Sequence, residues 1–255
     1  MIKFFRKIRQ KLLSENKFSK YLVYAIGEIV LVVIGILIAL GINNWNSERI
    51  NTAREKDYLI GIKNDLEKQI PLFNSLVKRC DSILIVGNNI LNDYKSIQDF
   101  SLINDLNKKL SLFFYAENFP EISTTFDELK STGQINLIKN KSVRTKIISY
   151  YQNANERQVD MRFILSDIVY SHIYPTLKSS TIITQENLSL NNNINDLPGK
   201  LQSVLKMKLT DSDNELELFN AINLRIKAAL VNQSVLLNVK DEAVQLIDEI
   251  GKELN

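Results

Sequence analysis

The stretch YLVYAIGEIVLVVIGILIALGI, residues 21–42, decides where the rest of the chain must sit. Its 22 residues hold one ionisable group, Glu28, and no proline. Wound as an α-helix at about 1.5 Å per residue, they reach about 33 Å, enough to cross a hydrocarbon core of about 30 Å. Tyr21 and Tyr24 stand at one end and Trp45 just past the other, as interface anchors where amphipathic rings favour the headgroup layer. The pattern predicts a single transmembrane helix, with different solvents on its two sides.

Charge sets its direction. Residues 1–20 carry Lys3, Arg6, Lys7, Arg9, Lys11, Lys17 and Lys20 against one acid, Glu15. That bias holds the N-terminal side in the cytoplasm and sends residues 43–255 across the membrane. Beyond residue 28 the chain has 25 basic and 27 acidic side chains, so it offers nucleic acid no basic surface. Phe5, Ile8 and Leu12 line one side of the tail among Arg6, Lys7, Arg9 and Lys11, a pattern suited to a helix lying on anionic lipid. A basic tail that only sets topology is the alternative. A signal peptide is the competitor to a retained signal-anchor: Ala39 and Gly41 have the spacing a signal peptidase reads, behind an apolar run from Ile29 to Leu40.

Within the helix, positions 21, 25, 28, 32, 35, 39 and 42 alternate steps of four and three and so share one stripe. It reads Tyr21, Ala25, Glu28, Val32, Gly35, Ala39, Ile42. Gly35 and Ala39 form a small-xxx-small pair that lets another helix come close. Glu28, costly in hydrocarbon, then faces either a partner helix across this seam or the cytoplasmic edge by snorkelling.

The segments KIR–LL, YAIGEI, LVVIGILIAL and INNWN within residues 1–46, with FDELKSTGQINLIKNKSVRTKIISYY at 126–151, resemble a family of uncharacterised bacterial membrane proteins. The resemblance implies an inner-membrane anchor and a helical periplasmic domain. It implies no activity and no catalytic residue.

Downstream, the spacing predicts helices throughout. Leu59, Ile62, Leu66 and Phe73 recur at helical intervals, so the membrane helix continues over 43–70 as a stalk, with a second helix after Pro71 carrying Cys80, Ile83, Ile90 and Tyr94. Further helices are expected at Leu102–Tyr115, after Ser123 or Thr124 up to Gly133, and from Ser142, capped by Asn140, to about His172 before Pro175. Residues 178–198 read as loop, with a short helix near Lys200–Lys208 and a long one from Asp213 to Leu254. In the last, Phe219, Ile222, Ile226, Leu230, Leu237, Val244, Ile247 and Ile250 are expected to face inward. The fold class is all-α: one transmembrane helix followed by an antiparallel helical bundle.

Chemistry is sparse. One cysteine, Cys80, and one histidine, His172, cannot furnish a Cys/His zinc set or a cysteine–histidine nucleophile with a spare ligand. Cys80 lies on an apolar stripe and reads as a buried thiol. Asp127–Glu128 and Asp241–Glu242 are adjacent in sequence and diverge on a helix. No phosphate loop, GxSxG or HExxH occurs. Tyr151, Arg162 and His172, on one long helix with Tyr150, Arg157, Tyr170 and Tyr174, make the one candidate ligand cleft. No catalytic residue, metal ligand or cofactor is expected. The expectation is a non-enzymatic interaction or scaffold protein that binds the bilayer and either itself or an envelope partner. A ligand-sensing bundle, and a stator-like accessory coupling protons through Glu28, are the alternatives.

Overall fold

The computed structural model describes residues 18–115, 117–183 and 199–254, and every regular element among them is helical. α1 spans Phe18–Ile97, α2 Leu106–Ser111, α3 Thr124–Ser131 and α4 Lys141–Phe163. A π-helical segment, Ile164–Ile173, follows, then α5 (Tyr174–Ser180), α6 (Gly199–Leu209) and α7 (Ser212–Leu254). The chain divides into two compact units, Met1–Asp57 and Tyr58–Asn255.

In the first unit the described residues form the start of α1. Each large aliphatic side chain from Leu22 to Ile42 is between 43% and 70% exposed. The basic side chains Lys3, Arg6, Lys7, Arg9 and Lys11 lie outside the described residues, as does the side chain of Tyr21.

The second unit has one core, built on two helices with a strict three-four repeat. On α1 the inward positions are Leu59, Ile62, Leu66, Gln69, Phe73, Leu76, Cys80, Ile83, Gly87 and Ile90. On α7 they are Leu218, Ile222, Arg225, Ala229, Asn232, Leu236, Val239, Ala243, Leu246 and Ile250. This alternation is the pattern of a left-handed helical seam. Four cross-helix pairs fix the relation between them: Tyr94 with Phe219, Gly87 with Ile226, Asp81 with Gln233 and Asn74 with Lys240. One number rises as the other falls, so α1 and α7 run antiparallel. α4 is likewise antiparallel to α7, since Asn140 donates to Glu253 and Lys146 pairs with Glu249.

The inward face of α7 corrects the expectation from its large aliphatics. Leu230, Leu237 and Val244 are 52%, 37% and 41% exposed, while alanines, Arg225 and Asn232 point in. Close helix approach selects small residues at the seam, so side-chain size was a poor guide to which stripe is buried.

Three helix boundaries also differ from the expected ones. α1 passes through Pro71 without a break. A helix-interior proline costs about 3 kcal/mol. Leu66 before it and Phe73 after it are fully buried, and such burial contributes about 1.5–3 kcal/mol per side chain, enough to hold both turns in place. The helix expected over Leu102–Tyr115 is instead a 3₁₀ turn, α2 and a second 3₁₀ turn, because Asp105 adopts a left-handed conformation (φ 56°). Asn140 caps α4 as expected, accepting from the Ser142 and Val143 amides at 3.0 and 3.3 Å. The winding then continues past His172 to Ser180, with Pro175 just past the junction of the π-helical segment and α5. Of the expected loop at 178–198, residues 184–198 lie outside the described residues.

Candidate functional site

Polar side chains of the Tyr58–Asn255 unit gather at several places. The first is a cleft of about 380 Å³ between α3 and α4. α1 positions its α3 wall. Gly61, Asp65 and Gln69 follow one another at four-residue steps and so share a face of α1. A β-carbon at Gly61 would lie 2.8 Å from Thr125 Cγ2, so this face admits Thr125 closely. Asp65 Oδ2 then accepts the Thr125 amide at 2.9 Å, capping α3 from another helix. Gln69 donates to the Pro120 carbonyl and accepts from the Tyr150 hydroxyl at 2.7 Å. Sequence reasoning expected Ser123 or Thr124 to cap α3. Ser123 Oγ instead donates to Asp127 Oδ2 at 2.6 Å.

The other wall is α4, where Ile148, Tyr151, Gln152 and Asn155 recur at three- and four-residue steps. Phe126 of α3 stacks on Tyr151 with ring centroids 4.2 Å apart and planes 10° from parallel. Glu121, Asp127 and Lys130 bring both signs of charge to the rim, and Gln158 donates to Glu121 at 2.7 Å. Tyr151 is 7% exposed, and its hydroxyl has no hydrogen-bond partner among the described residues. Burial raises its pKa, with Asp65 and then Asp127 adding to the rise.

Of the expected ligand cleft, only Tyr151 lines this site. Arg162 and His172 are exposed and are not among its walls. A pairing of His172 with a tyrosine hydroxyl is not seen for Tyr174, which donates to the Phe114 carbonyl. Arg157 lies across a separate groove beside Asp241 and Glu242 of α7.

The second place is a buried ion pair that sequence reasoning missed. Arg225 is 0% and Glu117 2% exposed, and their Nη2 and Oε1 atoms are 2.7 Å apart. Arg225 also donates to the Phe113 and Tyr115 carbonyls at 3.3 and 2.8 Å. The signal available was position 225 itself, which falls on the three-four stripe of α7. Cys80 lies within electrostatic reach of this pair. Desolvation, with Glu117 next, pushes its thiol from 9.0 up to about 12. A thiol held this high is almost wholly protonated at pH 8, and the thiolate is the nucleophile. Maleimide labelling of native protein at pH 8 is therefore expected to be negligible and to become complete in urea. Fast labelling of the folded protein would show the thiol to be accessible.

On the first unit, Ala25, Glu28, Val32, Gly35 and Ala39 fall along one stripe of α1. Ala25 and Glu28 are half-buried, whereas Val32 is 55% exposed. Tyr24 and Trp45, the expected interface anchors, are 53% and 68% exposed. Among the described residues one helix is long and apolar enough to cross a membrane, and its most apolar window has mean hydropathy 2.8 with none of it buried.

These features define an all-α protein carrying one helix segment of membrane-spanning length. The chain belongs to a family of unknown function, DUF6090, whose model matches residues 28–227. No curated protein and no solved structure matches it.

Proposed function

We propose that this is a membrane-anchored interaction or scaffold protein without catalytic activity. Residues 21–42 cross the bacterial inner membrane, residues 1–20 lie on its cytoplasmic side, and an antiparallel helical bundle stands in the periplasm. The observation that carries the reading is the exposure of 14 large aliphatic side chains between Leu22 and Ile42. With about half of each side chain exposed, and about 1.5–3 kcal/mol for a side chain fully withdrawn from water, leaving them in water costs roughly 10–20 kcal/mol relative to lipid. Lipid removes that cost. The basic tail supports the orientation. The interaction role is supported by a second exposed apolar row on α7, where Leu230, Leu237 and Val244 repeat every seven residues.

A ligand-sensing bundle signalling through a partner membrane helix is the second reading, and the α3–α4 cleft favours it. Carbonate extraction and two-sided proteolysis test the anchor. The protein is expected to stay in the carbonate-resistant pellet, with residues beyond 43 cut only by protease added from the periplasmic side. Crosslinking of intact membranes then tests the seam: Gly35→Leu is expected to abolish crosslinks through the membrane helix. Release by carbonate, or loss of residues 1–42 from the mature protein, would overturn the anchor.

A further inference from the structure

α6 is almost unpacked. Of its 11 residues, Gly199–Leu209, only Leu209 is buried and Leu205 half-buried, where the helix rests against α5, α7 and the turn Phe100–Leu102 that follows α1. An isolated helix shorter than about 12–15 residues is marginal in water, so two inward leucines leave much of its stabilisation to another surface. Leu201, Val204 and Met207 recur at three-residue steps on the outward side, and Met207 is 68% exposed. Lys200 and Lys208, four residues either side of Val204, fall on that same face near the helix ends. Leu102, on the turn that α6 touches, adds another exposed aliphatic.

The charge on this face has one sign. α6 holds Lys200, Lys206 and Lys208 and no acid. The acids that follow serve α7: Asp211 accepts the Asn214 amide at 3.1 Å, and Asp213 and Glu215 stand in the first turn, where the helix dipole favours them. A protein groove would match the apolar row but would have to desolvate Lys200 and Lys208 within it. A bilayer surface would not. Apolar side chains enter the acyl boundary, while lysine stems lie along it and carry their ammonium groups out to the phosphates. We infer that α6 docks on an anionic lipid bilayer, with Leu201, Val204 and Met207 below the headgroups and Lys200 and Lys208 among them. The inference goes beyond the anchored scaffold, and its failure would leave the anchor standing.

Full-length Met207→Cys, labelled with an environment-sensitive fluorophore and held in nanodiscs of phosphatidylcholine, tests it, since the native Cys80 is buried. Vesicles of about one-third phosphatidylglycerol in phosphatidylcholine are expected to shift the probe emission to the blue and raise its intensity. Pure phosphatidylcholine vesicles are expected to leave it unchanged. The same probe at Gln202→Cys, on the opposite face of α6, is expected to stay unchanged with both. The basic side chains of residues 1–20 also attract phosphatidylglycerol, so a probe on α6 is the readout rather than bulk vesicle binding. Each lysine near such a surface is worth about fivefold in affinity, so Lys200→Gln with Lys208→Gln is expected to weaken the titration about 25-fold. Val204→Asp is expected to abolish the response. All three positions are exposed, so Tm is expected to hold, which separates docking from folding. A silent probe at position 207, an equal response to pure phosphatidylcholine, or unchanged affinity in the lysine variant overturns the assignment.

Discussion

Arg225→Ala is expected to destabilise the helical domain by about 3–5 kcal/mol. The guanidinium is fully buried and ties α7 to the Phe113–Glu117 segment through two carbonyls and one carboxylate. Its loss strands Glu117, itself 2% exposed, as a buried charge with its main counter-ion gone. For a domain of about 200 residues, each kcal/mol shifts Tm by roughly 2–4 °C, so the transition should fall by about 6–20 °C. Arg225→Met with Glu117→Leu removes both charges while keeping volume, and is expected to recover most of the loss, because pairing buried charges roughly offsets their desolvation. Urea unfolding of both variants in detergent decides it. A cost below about 1 kcal/mol for Arg225→Ala would mean that water reaches the pair and that it does not organise this part of the core.

Why this pair escaped sequence reasoning follows from how sequence carries burial. The first half of the core was legible: Leu59, Ile62, Leu66 and Phe73 are large, apolar and spaced for one face, and all four are buried. So was Asn140, because a cap acts within three residues of itself. α7 was legible as a helix but not in its facing, since its inward stripe mixes alanine, arginine and asparagine with aliphatics. Only the alternation of three and four, from Leu218 to Ile250, marks that stripe. The α3–α4 cleft was legible in one residue, Tyr151. Its other wall depends on Asp65 and Gln69 reaching across from α1 to residues more than fifty positions later. Contacts of that range leave no local pattern, whereas the apolar run over 21–42 needs none beyond itself.

The antiparallel register of α1 and α7 makes the second large prediction. A β-carbon at Gly87 would lie 2.6 Å from Ile226 Cγ1, 2.9 Å from its Cδ1 and 3.3 Å from Phe113 Cζ. Two effects oppose each other in Gly87→Ala. Alanine favours the helix by about 1 kcal/mol, while overpacking a tight core costs about 1–3 kcal/mol. Ile226 is half-buried and yields only partly, so a net loss of about 1 kcal/mol is expected. Gly87→Leu adds atoms that neither Ile226 nor Phe113 can accommodate, and is expected to cost about 3 kcal/mol or more. The decisive measurement is the double-mutant cycle with Ile226→Ala, where removing the facing side chain should restore about 1–2 kcal/mol to Gly87→Ala. If Gly87→Ala instead stabilised the protein by its full helix propensity, with no coupling to Ile226, the two helices would not meet at this register. The pairing of Asp81 with Gln233 and Asn74 with Lys240 would then fail with it, because all three contacts depend on the same alignment.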